Sequence, residues 1–289
     1  MEANIFTQVF LPVALAVIML GMGLSLKPVH FKQLWQTPKP VLTGLCMQII
    51  AIPALAFLLA YLLQLPPELA VGLVLIAACP GGPTSNLIAH LAHADTALSI
   101  SLTAISSLIV IISLPLLVNL ASLLFLGEGQ YVALSVPRTV LQLLVIILLP
   151  VSVGMWLRAR WPDFSRRCQQ PVKWLSSFFL IAVVAGALLR EMDRLLGFFL
   201  AIGIAALLLN LLSMLAGYLA ARSIGCHGPQ TRSMTIEVGI QNGTLGIAIA
   251  TSPLLLNNST MAIPSAIYSL IMFASGAVMI IWGYRKKQA

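Results

Sequence analysis

Long apolar runs parted by short polar gaps make up almost the whole chain. About 20 apolar residues suffice for a helix to cross a bilayer, and nine runs reach or approach that length: residues 5–26, 41–63, 69–91, 97–126, 132–157, 172–189, 195–221, 233–256 and 262–282. The pattern predicts an all-α polytopic membrane protein with nine transmembrane helices. Pro12, Pro53, Pro115 and Pro150 fall inside runs, where a proline bends a helix.

Two runs are broken at their middles by small and polar residues. The third carries Cys79-Pro80-Gly81-Gly82-Pro83-Thr84-Ser85-Asn86, and the eighth Glu237-Val238-Gly239-Ile240-Gln241-Asn242-Gly243-Thr244. Free backbone groups cost several kcal/mol in a bilayer unless they are buried in protein or face a watery cavity. Paired breaks, one in each half of a chain, point to a transporter site made from discontinuous helices. An inverted repeat of five helices, with the first helix missing from the first copy, gives nine spans and sets the broken ones in opposite directions.

Composition agrees. Residues are 60% hydrophobic and 8% charged, with mean hydropathy +1.00, against about 25% charge in soluble domains. The net charge of +8 comes from residues in the gaps, so it reads as a topology signal and not as a nucleic-acid surface. With the N-terminus outside, 13 of the 16 Lys and Arg fall on the cytoplasmic side, and only Arg138, Arg190 and Arg194 do not. Trp35, Trp156, Trp161, Trp174 and Trp282 gather at the same boundary. The expected placement is the bacterial inner membrane, N-terminus out and C-terminus in, with the first run retained. Cys46, Cys79, Cys168 and Cys226 are scattered without metal-ligand spacing and read as inert thiols.

Glu237 is the one acidic residue inside a predicted span; Glu2, Glu68, Asp95, Glu128, Asp163, Glu191 and Asp193 lie in gaps or at ends. A charge there costs roughly 2.5–3.5 kcal/mol and marks a functional site by default. Gln241 and Asn242 follow one turn later, and the carbonyls of Val238 and Ile240 are freed by the break. Oxygens of this kind suit a small hard cation. Ser99, Ser101, Thr103, Ser106 and Ser107 add hydroxyls on the fourth run, with Ser99 and Thr103 on one helix face. Such hydroxyls often bond only their own backbone or a neighbouring helix. His90 and His93 precede Asp95 near a span end and read as interfacial residues. No nucleophile–base pair or phosphate loop is visible, so an enzyme is not expected, and no cofactor.

CPGGPTSN followed by ADTALSISLT, with EVGIQNG in a later run, resembles the bile acid:sodium symporter family, from GMGLSLKP at 21–28 to PSAIYS at 264–269. The resemblance implies two sodium sites. One uses Ser85, Asn86, Ser99, Thr103 and Glu237; the other uses Glu237, Gln241, Gln48 and the carbonyls of Val238 and Ile240. It also implies a core domain over 41–126 and 195–284 and a panel domain over 5–26, 132–157 and 172–189. Substrate would lie between the two, at Pro83, Thr84, Asn242, Gly243 and Met272. The chain departs from the pattern in three ways: it lacks a first helix, carries Pro83 where bacterial relatives have Thr, and has Leu270-Ile271-Met272-Phe273 where a relative carries a His-Asn pair. The expected activity is sodium-coupled symport of an organic anion, either a small pantoate-like acid or a bile-acid-like steroid, by a monomer using alternating access. Alternatives are proton coupling through Glu237, metalloid efflux with Cys79 as ligand, and a membrane sensor, for which the gaps are too short to hold an output domain.

Overall fold

The computed structural model describes residues 10–27, 29, 35–127, 134–190 and 195–288. Residues 5–9, Pro28, 132–133 and 191–194 of the sequence reading, with Glu2, Lys32 and Glu128, lie outside them. All regular structure among the described residues is helical. The helices are α1 (Leu11–Ser25), α2 (Pro38–Leu62), α3 (Pro67–Ala77), α4 (Pro83–Leu91), α5 (Thr96–Leu126), α6 (Val136–Arg160), α7 (Pro162–Arg190), α8 (Leu195–Ser223), α9 (Gly228–Gly239), α10 (Gly243–Thr251) and α11 (Ile263–Gln288). Among the described residues five helical stretches are long and apolar enough to cross a membrane: α2, α5, α6, the Phe199–Ser223 part of α8, and Thr260–Arg285, which contains most of α11. Large side chains such as Ile50, Ile112, Leu124 and Leu200 are exposed on them, as suits surfaces facing acyl chains.

Two prolines shape their helices in the same way. Proline cannot donate to the carbonyl four residues back and its ring crowds that oxygen. Just ahead of Pro53 the chain widens into a π turn over Met47–Ala51, and just ahead of Pro150 into another over Leu144–Leu148. Each turn contains the crowded carbonyl, Ile49 or Ile146. Pro12 sits in the first turn of α1, where no donor is lost. Pro115 lies inside α5, which is assigned without interruption.

Close helix contacts join distant parts of the chain. α1 lies against α6 and α7. Gly23 and Gly154 permit this approach, because a Cβ on Gly154 would stand 2.6 Å from the Leu20 carbonyl oxygen. Elsewhere α8 covers α9 and α11, while α3 packs among α2, α5 and α11. The turn between α4 and α5 is tied to the start of α9: the Asp95 N–H donates to the Pro229 carbonyl at 3.1 Å, and Ser233 Oγ donates to the Asp95 carbonyl at 2.6 Å. Asp95 also caps α5 by accepting from the Leu98 N–H at 3.1 Å.

Candidate functional site

Both interruptions seen in the sequence are real helix breaks, and they touch. α3 stops at Ala77, since Pro80 cannot donate and the Gly81-Gly82 pair favours an irregular backbone. α9 stops at Gly239, after which Ile240 is extended. The Asn242 N–H then donates to the Cys79 carbonyl at 2.9 Å, joining one break to the other. Asn242 also starts α10, its Oδ1 accepting from the Leu245 N–H at 3.1 Å. Pro83 does remove an N–H, but it occupies the first turn of α4, where that donor would be unpaired in any case.

The last four carbonyls of a helix have no partner within it, and in α9 all four are met. The Ile236 carbonyl accepts from the Ile240 N–H at 2.8 Å. Glu237 receives Gln48 Nε2 at 2.9 Å, and Val238 receives Gln241 Nε2 at 3.0 Å. Gly239 receives both Asn210 Nδ2 at 2.9 Å and Tyr268 OH at 2.7 Å. The Val238 carbonyl, read from sequence as free, therefore already serves one donor; its second lone pair remains. Asn210 and Tyr268 were not singled out from the sequence. The signal for Asn210 was a polar side chain in the middle of an apolar run.

Around the Glu237 carboxylate, which is fully buried, acceptor oxygens outnumber the protons that Ser99 and Thr103 can give. Ser99 Oγ bonds Glu237 Oε1 and lies 2.8 Å from Asn86 Oδ1. Thr103 Oγ1 lies 2.9 Å from Glu237 Oε2, 3.1 Å from the Ser99 carbonyl and 3.3 Å from Asn86 Oδ1. Each hydroxyl has one proton to give, so two protons face four acceptor oxygens. Ser85 Oγ gives its proton to the Gly82 carbonyl at 2.8 Å. Three further hydroxyls of α5 bond back to their own helix: Ser101 to Ala97, and Ser106 and Ser107 to Thr103.

Gly81 completes this cluster. A Cβ built on it would meet Ser85 Oγ at 2.7 Å and both Glu237 Oε2 and the Ile240 carbonyl at 3.0 Å. Three oxygens from the two broken spans thus converge on a space kept open by the missing side chain. Beyond it, Gln48 Oε1 and Gln241 Oε1 are buried without a hydrogen-bond partner. Among the described residues no three His, Cys, Asp or Glu side chains come together. The donors are instead hydroxyl, amide and carbonyl oxygens around one carboxylate, a set suited to a hard cation.

Beside the breaks lies a cavity of about 520 Å³, within the usual range for small-molecule sites. Pro83, Thr84, Asn242, Gly243 and Met272 all line it, as do Asn86 and Gln241. Its facing wall comes from α1, α6 and α7, including Arg158, Gln169 and Ser176. The N-termini of α4 and α10 both open onto this space, and helix N-termini favour anions.

Comparison with known proteins places this arrangement. The sodium bile acid symporter family model matches residues 12–198, more than half of the chain. The chain belongs to that family. It is 33% identical over 294 residues to the uncharacterized sodium-dependent transporter YocS of Bacillus subtilis, covering 99% of this chain and 88% of that protein. A probable chloroplastic sodium/metabolite cotransporter, BASS1 of Arabidopsis thaliana, is 32% identical over 273 residues, 93% of this chain and 66% of the longer plant protein. The human ileal sodium/bile acid cotransporter is 26% identical over 96% of this chain and 79% of its own length. Membership makes the chain an integral membrane transporter and not an enzyme.

Proposed function

We propose that this symporter-family protein carries a small organic anion together with sodium, by alternating access, across the bacterial inner membrane. The observation that carries the reading is the buried Glu237 carboxylate, set among more oxygens than the local hydroxyl protons can serve. A cation relieves that surplus. A proton on Glu237 adds one donor there but leaves the buried Gln48 and Gln241 amide oxygens unpaired, so sodium is the better fit. Ser85, Asn86, Ser99, Thr103 and Glu237 form one sodium site in this reading. Gln48, Gln241, Glu237 and the carbonyls of Val238 and Ile240 form the other. The sodium-dependent relatives support the same coupling.

The anion sits at Pro83, Thr84, Asn242, Gly243 and Met272, with its carboxylate toward the N-termini of α4 and α10. In this scheme nine passages cross the bilayer, with α3–α4 and α9–α10 each counting as one. α1, α6 and α7 form the panel and the remaining helices the core. The cavity reaches Lys27 and Arg158 at the basic end of the molecule, so the conformation faces the cytoplasm. In proteoliposomes, uptake of a competent acid requires an inward sodium gradient, and Glu237→Gln abolishes it. Equal uptake from choline buffer rejects sodium coupling.

A further inference from the structure

Most residues discussed so far belong to the broken helices, yet the opposite wall of the cavity is also polar. Ser176 of α7 is only 8% exposed, lines the cavity, and its Oγ has no hydrogen-bond partner. Gln169, seven residues earlier, lies on the same face of α7 and lines the cavity too. Arg158 of α6 is half-buried beside it. One Nη donates to the Leu24 carbonyl, and Gln169 Nε2 donates to the same oxygen at 2.8 Å. That bond caps the C-terminus of α1 but uses one of five guanidinium donors. The one ion pair among the described residues is Arg166–Asp163, so Arg158 faces the cavity without a carboxylate. No Asp or Glu among the described residues lines the space.

Between the two polar faces the lining is apolar, from Ile18, Met22, Leu87 and Phe273 among others. The cavity follows α4 from Gly82 to His90, about 12 Å at the rise of an α-helix. A cargo held by its carboxylate at the helix N-termini therefore sets its far end against α6 and α7. Resting on the symport reading above, the geometry points to Arg158 and Ser176 as the residues that set specificity at that far end. They select an organic acid bearing a hydroxyl or carbonyl oxygen there over one with a plain hydrocarbon tail. An apolar tail would strip water from these donors and pair none of them, and sites built around a hydrogen bond reject analogues that lack it.

The test uses the full-length protein in detergent with sodium, and thermal shift as the readout, since a ligand of the folded state raises its melting temperature. The probes are hexanoate, 6-hydroxyhexanoate and 1,6-hexanediol. The expected result is an apparent Kd at least about tenfold lower for 6-hydroxyhexanoate than for hexanoate, with no shift from the diol. Ser176→Ala and Arg158→Gln each shrink that ratio while leaving the sodium-induced shift unchanged. Ser176→Ala removes a hydroxyl with no protein partner, so it separates recognition from folding. Equal affinity for the two acids, a ratio that survives both substitutions, or no shift with any probe overturns the inference. Failure of sodium alone to shift the wild type, or a shift that persists in Glu237→Gln, counts against the symport reading instead.

Discussion

A single methyl group at position 81 is the smallest probe of the ion site. Its carbon would lie 2.7–3.0 Å from three oxygens, one of them the backbone carbonyl of Ile240, a closeness that carbon does not tolerate. Gly81→Ala is therefore expected to raise the sodium concentration for half-maximal uptake by more than about tenfold, in protein that still purifies as a folded monodisperse peak. Unchanged sodium dependence would mean that the ion lies elsewhere. Glu237, Gln241 and Asn242 could be picked out of the sequence because a charge or amide stands out in an apolar run. Gly81 could not, since a glycine in a Gly-Gly pair reads as a turn and its role depends on what faces it. Asn210 and Tyr268 also escaped notice, because each meets the Gly239 carbonyl from a residue 29 positions away, a pairing that only helix packing creates.

Among the elements, α2 shows how an irregularity serves the site. Gln48 lies in the π turn ahead of Pro53, and such turns often accompany function. An extra residue in a turn rotates everything on one side by about 100°, given 3.6 residues per turn. Replacing Pro53 with alanine removes the steric cause of the widening. The helix is then expected to regularise and carry Gln48 away from the Glu237 carbonyl. Removing a proline from a helix usually leaves stability unharmed, so the measurable outcome is weaker sodium affinity at an unchanged or higher melting temperature. Wild-type affinity in Pro53→Ala would show that the turn is ornamental. From the sequence the proline suggested only a bend; whether a helix kinks or widens depends on where neighbouring helices accept the displaced turn. The breaks themselves were legible to within a few residues, because proline and paired glycines leave little choice.

For the whole molecule, charge sets the energetics of the cycle. If two sodium ions bind beside an ionised Glu237, as proposed, the loaded site would stand at +1 and a monocarboxylate would bring it to neutral, which would ease passage through the low-dielectric middle. Each complete turnover then moves one net positive charge inward, worth about 2.3 kcal/mol per 100 mV. Currents recorded from protein adsorbed on a supported membrane should be inward-positive on adding sodium and acid together, and should vanish in Glu237→Gln. An electroneutral cycle would set the stoichiometry at one ion. The basic residues on which the proposed orientation rests were plain in the sequence. The packing of α1 on α6 was not derivable from the residues alone, because the Gly23–Gly154 approach joins α1 to a helix more than a hundred residues later.

The amide of Asn242 and the carbonyl of Cys79 bond the two interrupted rods to each other, and this contact bears on leakage. With the proposed anion and ion sites both resting on this one hydrogen bond, a displacement on either side would be felt on the other. Binding of one passenger would then draw in the seat of its companion. Were that linkage slack, sodium would slip downhill alone and the stored gradient would dissipate as heat.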